Sequence, residues 1–438
     1  MSADPPEAGS TDPAPGAPLP ASGAPAGPTS RPSYRRVLQN RRFSLLWVSQ
    51  LVSQSGDYIF EVALLWLVLE ITGSAFDVGI VVTGTILPAV VLGPFLGVYV
   101  DRWDRRRTLL LTNVLEGFVV AALAGIVLAG VTSLGILFVI VLMLGSGATV
   151  VRVATNAYVP SVVSTDDLPP ANGLLSVSGS MNAILGLSLG GVFVALFGVN
   201  LPIEYDALSF FVAAALLLLI PSAPQGSTAA AGERGPSGFR AELAEGLGFI
   251  RQNRFMVEII AIGMVVNFFG NGIAALMAPY SAFVLHGGVA GYGFLGACFS
   301  GGSLAGAAAM GGVNVRRTAG RYLFAGGLAS GLLVLALGLV GTLPLGLAVM
   351  GGLGVTLAVT NIPISVVLQA KVPGRLLGRV GAAFGALVSG TGPAGPLFAG
   401  WLAERWTVGD VFLLTGVVFV VVIGLGWATM PSLRSVSY

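Results

Sequence analysis

Two acids stand inside an otherwise apolar run. Asp57 and Glu61 lie four residues apart in "GDYIFEVALLWLVLEI", a spacing that puts both on one face of a helix. An ionisable group near the centre of a membrane helix costs about 2.5–3.5 kcal/mol on insertion scales, so it has either a partner or a task. Two desolvated carboxylates one turn apart also repel each other. The pair is therefore a candidate for taking up and releasing a proton, or for holding a cationic substrate. The plainer reading is that Glu61 reaches water and Asp57 only ties one helix to another. Arg152 is a third charge within an apolar run. Its plain reading is an ion pair with Asp57 or Glu116, and Glu116 itself reads as structural. Asn267 and Asn271 fall one turn apart with Phe268, Phe269 and Tyr280 nearby. They could line a polar and aromatic cavity, with Tyr58 and Asn361 as weaker candidates. The alternative for such residues is hydrogen bonding between helices.

Other chemistries lack their residues. The single histidine, His286, and the single cysteine, Cys298, leave no clustered metal site, no disulfide framework and no nucleophile–base set, so no enzyme and no metal are expected. The chain has no G-x-x-x-x-G-K-[ST] run, so no bound nucleotide cofactor is expected and an ion gradient is left as the energy source. A net charge of +2 does not point to nucleic acid.

These residues must be positioned by membrane helices. The 438 residues are 55% hydrophobic and only 10% charged, with a mean hydropathy of +0.87, whereas a soluble domain carries about 25% charged residues. Lipid, rather than polar surface, has to cover the chain. With about 20 apolar residues per crossing, spans are expected at Phe43–Leu69, Val78–Val100, Leu109–Gly130, Leu134–Tyr158, Ala171–Phe197 and Pro202–Ile220. Six more are expected at Met256–Leu285, Gly291–Gly312, Tyr322–Gly341, Leu345–Leu368, Leu377–Ala403 and Val411–Met430. The expected fold is thus an all-α membrane protein of twelve transmembrane helices in two six-helix halves, 41–220 and 256–431. Residues 1–40 read as a Pro/Ala/Gly-rich disordered tail and 432–438 as a short tail. The linker 221–255 ends in "FRAELAEGLGFIRQNRF", whose apolar residues recur at helical spacing. That segment is either an amphipathic helix on the membrane surface or an ordinary solvated helix.

The halves echo each other. "TNAYVPSVVSTDDLPPANG" from Thr155 is matched by "TNIPISVVLQAKVPGRLLG" from Thr360, and "RRT" recurs at 106–108 and 316–318. Paired halves of this kind suggest a transporter with a cavity between repeats. Nearly every Lys and Arg outside the spans falls on one side of the twelve-helix layout, with Arg405 as the exception, which places both termini in the cytoplasm.

The stretch "GVYVDRWDRRRTLL" resembles the signature loop between helices 2 and 3 of the major facilitator superfamily, G-x-L-a-D-R-x-G-R-R/K-x-x-L. Gly97, Asp101, Arg102, Arg105 and Arg106 match, and Asp104 stands where the family usually has glycine. Together with "GDYIFEVALLWLVLEITGSAFDVGI" and "VPSVVSTDDLPPANGLLSVSGS", the variant resembles the macrolide- and siderophore-exporter branch. The resemblance implies a major facilitator fold and proton-coupled efflux of a small hydrophobic compound. It also implies a multi-pass monomer in the lipid bilayer of the bacterial cytoplasmic membrane, exchanging a small-molecule substrate for protons. It implies that the five matching residues form a conformational latch, with Asp101 and Arg105 meeting the start of helix 11 near Gly378 and Arg379. An arginine in helix 4 is linked to proton coupling in the superfamily's antiporters, which gives Arg152 that role by placement. One departure weakens antiport: helix 5 reads "GLSLGG" from Gly186 instead of G-P-x-x-G-G, while a Gly-Pro element stands in helix 11, "GTGPAGP". Uptake or uniport of a solute, or a transporter-like sensor, are the rival readings.

Overall fold

The computed structural model describes residues 34–100, 103–221, 236–313 and 318–430. Most of the two tails, the first part of the linker, and Asp101 and Arg102 of the signature loop lie outside the described residues. The first half contains α2 (Arg41–Thr72), α3 (Ala75–Val100), α4 (Arg105–Leu128), α5 (Leu134–Val162), α6 (Leu168–Phe197) and α7 (Asn200–Leu218). It is preceded by a short helix, α1 (Tyr34–Gln39), and followed by the linker helix α8 (Pro236–Gln252). The second half contains α9 (Arg254–Pro279), α10 (Gly288–Met310), α11 (Ala319–Leu339), α12 (Leu343–Lys371), the pair α13 (Leu377–Ser389) and α14 (Ala394–Ala403), and α15 (Val408–Thr429). A π-helical turn, Tyr280–Val284, prolongs α9.

Ten of these segments are long and apolar enough to cross a membrane by length and composition. The other two crossings are α2 and α13–α14, and each departs for a local reason. In α2 the polar residues Gln50, Ser53, Gln54, Asp57 and Glu61 dilute the hydropathy of a 32-residue helix. The eleventh crossing breaks at 390–393, within the Gly-Pro element. Pro393 has no amide hydrogen to continue a helical ladder, and Thr391 Oγ1 turns back to donate to the Met264 carbonyl at 3.0 Å. The chain faces lipid with its apolar side: on α4, Leu111, Leu115 and Phe118 are exposed, whereas Asn113 and Glu116 are buried. That inside-out pattern suits a helix that must hide polar groups from hydrocarbon.

The repeat noted in the sequence is structural. α5 ends at Val162, a 3₁₀ turn covers Thr165–Asp167, and α6 starts at Leu168. In the second half α12 ends at Lys371, a 3₁₀ turn covers Gly374–Leu376, and α13 starts at Leu377. The tail reading of 1–40 needs correction at its end. Residues 34–39 are helical, and Arg36 Nε donates to both carboxylate oxygens of Asp167, at 2.9 and 3.0 Å. Asn40 caps α2 and donates from Nδ2 to the Val162 carbonyl at 2.6 Å. Ion pairing and capping therefore order residues whose composition alone reads as tail.

The halves meet unevenly. At the end that carries the termini and the linker each half has its own core, Phe43, Leu46, Leu109 and Leu217 in one and Met256, Ile259, Leu323 and Val380 in the other. At the opposite end a single core joins Val78 and Val81 of α3, Val194 of α6, Val289 and Leu295 of α10, and Ala399 of α14. The junction packs backbone on backbone. A Cβ on Gly191 of α6 would come within 2.9 Å of the Val289 carbonyl oxygen, one on Gly79 of α3 within 2.5 Å of that of Pro396, and one on Gly293 of α10 would collide with that of Leu187. Thr83 Oγ1 adds a hydrogen bond to the Pro393 carbonyl at 2.9 Å. In helix 5, then, Gly190 and Gly191 of "GLSLGG" serve close approach to α2 and α10.

Candidate functional site

Four carboxylates converge on a cavity of about 390 Å³ inside the first half. Asp57 and Glu61 reach it from α2, Glu116 from α4 and Asp206 from α7. Asp57 and Glu61 are exposed to the cavity, whereas Glu116 is 5% and Asp206 0% exposed. Asp57 lies close enough to Glu61, Glu116 and Asp206 to interact with each electrostatically. Glycines admit the two buried acids. A Cβ on Gly147 of α5 would collide with Glu116 Oε1, and one on Gly56 of α2 with Asp206 Oδ1 and Ser209 Oγ. Ser209 Oγ donates to the Asp206 backbone carbonyl at 2.9 Å, with Asp206 Oδ1 at 3.3 Å. Asp206 Oδ2 has no hydrogen-bond partner.

The residues expected from the sequence separate into groups. Asp57, Glu61 and Tyr58 all line this cavity. Arg152 stands on α5 one turn past the lining residue Ala148, exposed, and forms no ion pair among the described residues. The expected pairing with Asp57 or Glu116 is thus not made. Asn267 and Asn271 lie outside this cavity. Asn271 Nδ2 donates to the Asn267 carbonyl at 2.8 Å, beside Gly392 at the break in the eleventh crossing. The neighbouring Phe268 and Phe269 pack with Phe398 of α14. Asn361 is exposed on α12, away from this cavity. Asp206, within the span expected at Pro202–Ile220, was not singled out in the sequence. The usable signal was its position six residues into an apolar helix that starts at Asn200.

The signature loop divides its work. Asp104 caps α4, accepting from the Arg107 amide at 3.0 Å. That is what an aspartate contributes where the resembled family has glycine. Arg106 donates from Nε to the Leu217 carbonyl at 3.0 Å and from Nη2 to that of Leu218 at 2.8 Å. A cation there serves the last carbonyls and the negative end of the α7 dipole. Arg105 begins α4, and Gly97 lies near the end of α3. Asp101 and Arg102 fall outside the described residues. Arg379, near which the latch is expected, engages Glu245 of α8, and any meeting with Asp101 falls outside the described residues. That linker helix lies against α13, and a Cβ at Gly246 would approach the Arg379 carbonyl oxygen to 2.6 Å. Gly246→Val is therefore expected to lift α8 from α13. Crowding of about 1–3 kcal/mol should speed amide exchange across α8 about fivefold or more. Unchanged exchange in α8 would show that its contact with α13 holds nothing.

A family model described as transmembrane secretion effector matches residues 35–435. Macrolide efflux protein A of Streptococcus pyogenes is 25% identical over 394 residues, covering 86% of this chain and 93% of its own. The multidrug efflux pump Tap of Mycobacterium tuberculosis is 25% identical over 402 residues, covering 89% and 93%. Among solved structures, the nucleoside transporter NupG superposes with a TM-score of 0.67 at 14% identity, over 87% of this chain and 98% of that one. At that identity the likeness speaks for the fold alone.

Proposed function

We infer the function from one premise: the chain belongs to the transmembrane secretion effector family of major facilitator transporters. We propose that it exports a small hydrophobic compound, such as a drug, a macrolide-like natural product or a siderophore, in exchange for protons. The single observation that carries this reading is the convergence of four carboxylates on one intramembrane cavity. A transporter retains such groups, at about 2.5–3.5 kcal/mol apiece on insertion scales, only where their charge is used. The names of the two efflux relatives favour export over uptake.

The distribution of Lys and Arg supports termini in the cytoplasm of a bacterial cell. With that orientation, the shared core closes the outer side and the separate cores part the halves inward. Export would then proceed by rocking the halves about the cavity. A substrate would enter from the cytoplasmic side, and its binding would displace protons from the acids. Glu61 connects the two events. Buried Tyr292 of α10 lies within electrostatic reach of it, one residue before Gly293 of the outer junction. A change of charge at Glu61 would therefore act next to the surface along which the halves must part. Arg152, at the cavity's cytoplasmic side, would bias the acids toward release.

Proteoliposomes with an imposed pH gradient test the coupling, using a fluorescent substrate of the efflux relatives. Accumulation should rise with the gradient and stop when an ionophore collapses it. Accumulation indifferent to the ionophore would reject antiport and leave uniport.

A further inference from the structure

A second hollow lies in the other half. It is a narrow, wholly apolar cleft between α9, α11 and α12, and Phe255, Ala319, Gly320, Pro363 and Val367 are among its walls. Phe255 and Ala319 stand in the first turns of α9 and α11, and Val367 stands near the end of α12. The cleft therefore opens at the membrane surface on the side of the termini and the linker. The internal repeat shows why it exists. Aligning "RRT" at 106–108 with 316–318 sets Leu109 and Leu110 against Ala319 and Gly320, and aligning Thr155 with Thr360 sets Tyr158 against Pro363. In the first half Leu110 and Tyr158 pack on the core that contains Leu109. The second half has smaller residues at those places and leaves the space open.

The rim of the cleft is positive. Lys371, the last residue of α12, holds Nζ 4.8 Å from the centre of the Phe255 ring. Arg321 follows Gly320, where the aligned first half has Leu111. Both cations are exposed, and neither forms an ion pair among the described residues. Arg254, next to Phe255, is already matched by Glu258 at 2.7 Å. An apolar wall thus ends at two uncompensated charges at headgroup depth. Basic pockets between membrane helices on the cytoplasmic side take anionic headgroups. We propose that the cleft and its rim bind one anionic phospholipid, with the phosphate between Lys371 and Arg321 and an acyl chain along Ala319, Gly320 and Val367. The cleft has only about 10 Å³ of free volume, so it receives one edge of an extended chain and excludes a bulky ligand. A soluble anion would meet the cations without using the cleft, and a zwitterionic lipid would use the cleft while bringing a cation of its own to the rim. The inference needs the membrane fold only, and neither the direction of transport nor its coupling.

Native mass spectrometry of the purified full-length protein tests it by reading the first bound lipid. The probes are dioleoylphosphatidylglycerol, dioleoylphosphatidylcholine and inorganic phosphate. The phosphatidylglycerol should bind at least about fivefold more tightly than the phosphatidylcholine, since one basic residue near a headgroup contributes about that factor. The double variant Lys371→Gln, Arg321→Gln should bring that ratio to about twofold or less, and its melting temperature should hold because both side chains are exposed. Ala319→Leu restores the bulk that Leu109 supplies in the first half, and should weaken phosphatidylglycerol about fivefold with both cations in place. The double variant decides the matter alone if Ala319→Leu fails to fold. Equal binding of the two lipids, a ratio unchanged in the double variant, or full phosphatidylglycerol affinity in a folded Ala319→Leu protein would overturn the proposal. Displacement of the lipid by an equal concentration of inorganic phosphate would also overturn it, by showing a site for a free anion.

Discussion

Asp57→Asn is expected to abolish gradient-driven transport while the protein still inserts and folds. The substitution keeps the shape of the side chain and removes its ability to hold a proton. Asp57 is exposed to the cavity and is the acid within electrostatic reach of all three others. Removing its charge relieves repulsion, so the melting temperature should hold or rise. Loss of a positioned proton-transfer group commonly costs about 10²–10⁴ in rate, so a fall of at least about 100-fold in proton-driven efflux is expected. Counterflow exchange of substrate, which needs no net proton movement, should persist at a higher substrate concentration. Both assays use the same proteoliposomes, so an insertion failure would show as loss of both. Wild-type efflux under a gradient would remove Asp57 from the coupling.

Gly293→Val is expected to open the junction opposite the termini. Gly293 lets α10 lie directly on the α6 backbone at Leu187 and Gly191, and branched carbons there must push the halves apart. Overpacking of about 1–3 kcal/mol would change the ratio of open to closed junctions by roughly 5- to 150-fold, given tenfold per 1.4 kcal/mol. Spin-label distances across α6 and α10 at that end would read the shift. Gly302→Val supplies the control. Gly302 is equally crowded, against Gly351, but that contact joins α10 to α12 within one half. The control should lower the melting temperature without changing the inter-half distance. Equal effects of the two substitutions on that distance would show that crowding, and not the junction, sets the conformation.

Several features were legible before any coordinates. Hydropathy marked the crossings because each helix must satisfy its own backbone hydrogen bonds in lipid. The repeated "TNAYVPSVVSTDDLPPANG" and "TNIPISVVLQAKVPGRLLG" stretches marked the paired halves, and both fold as helix, 3₁₀ turn and helix. The spacing of Asp57 and Glu61 put them on one face, since four residues is a little more than one helical turn.

Other side-chain partners were not legible from hydropathy or spacing. Asn267 and Asn271 have the composition of a cavity wall, yet Asn271 spends its amide on Asn267 beside the break in the eleventh crossing. Arg379 engages Glu245 of the linker helix, 134 residues away in the chain. Arg106, grouped with the latch by resemblance, donates to the end of α7.

The sequence by itself determined the membrane class, the twelve crossings in two halves, and the acidic pair on α2. Each of those depends on local hydropathy or on the period of a single helix. Only the tertiary structure decided that Glu116 and Asp206 join that pair, and that the halves close at one end and part at the other. Those outcomes depend on where glycines such as Gly56, Gly147 and Gly293 let two helix backbones approach, and the period of a single helix does not specify which helix it will meet.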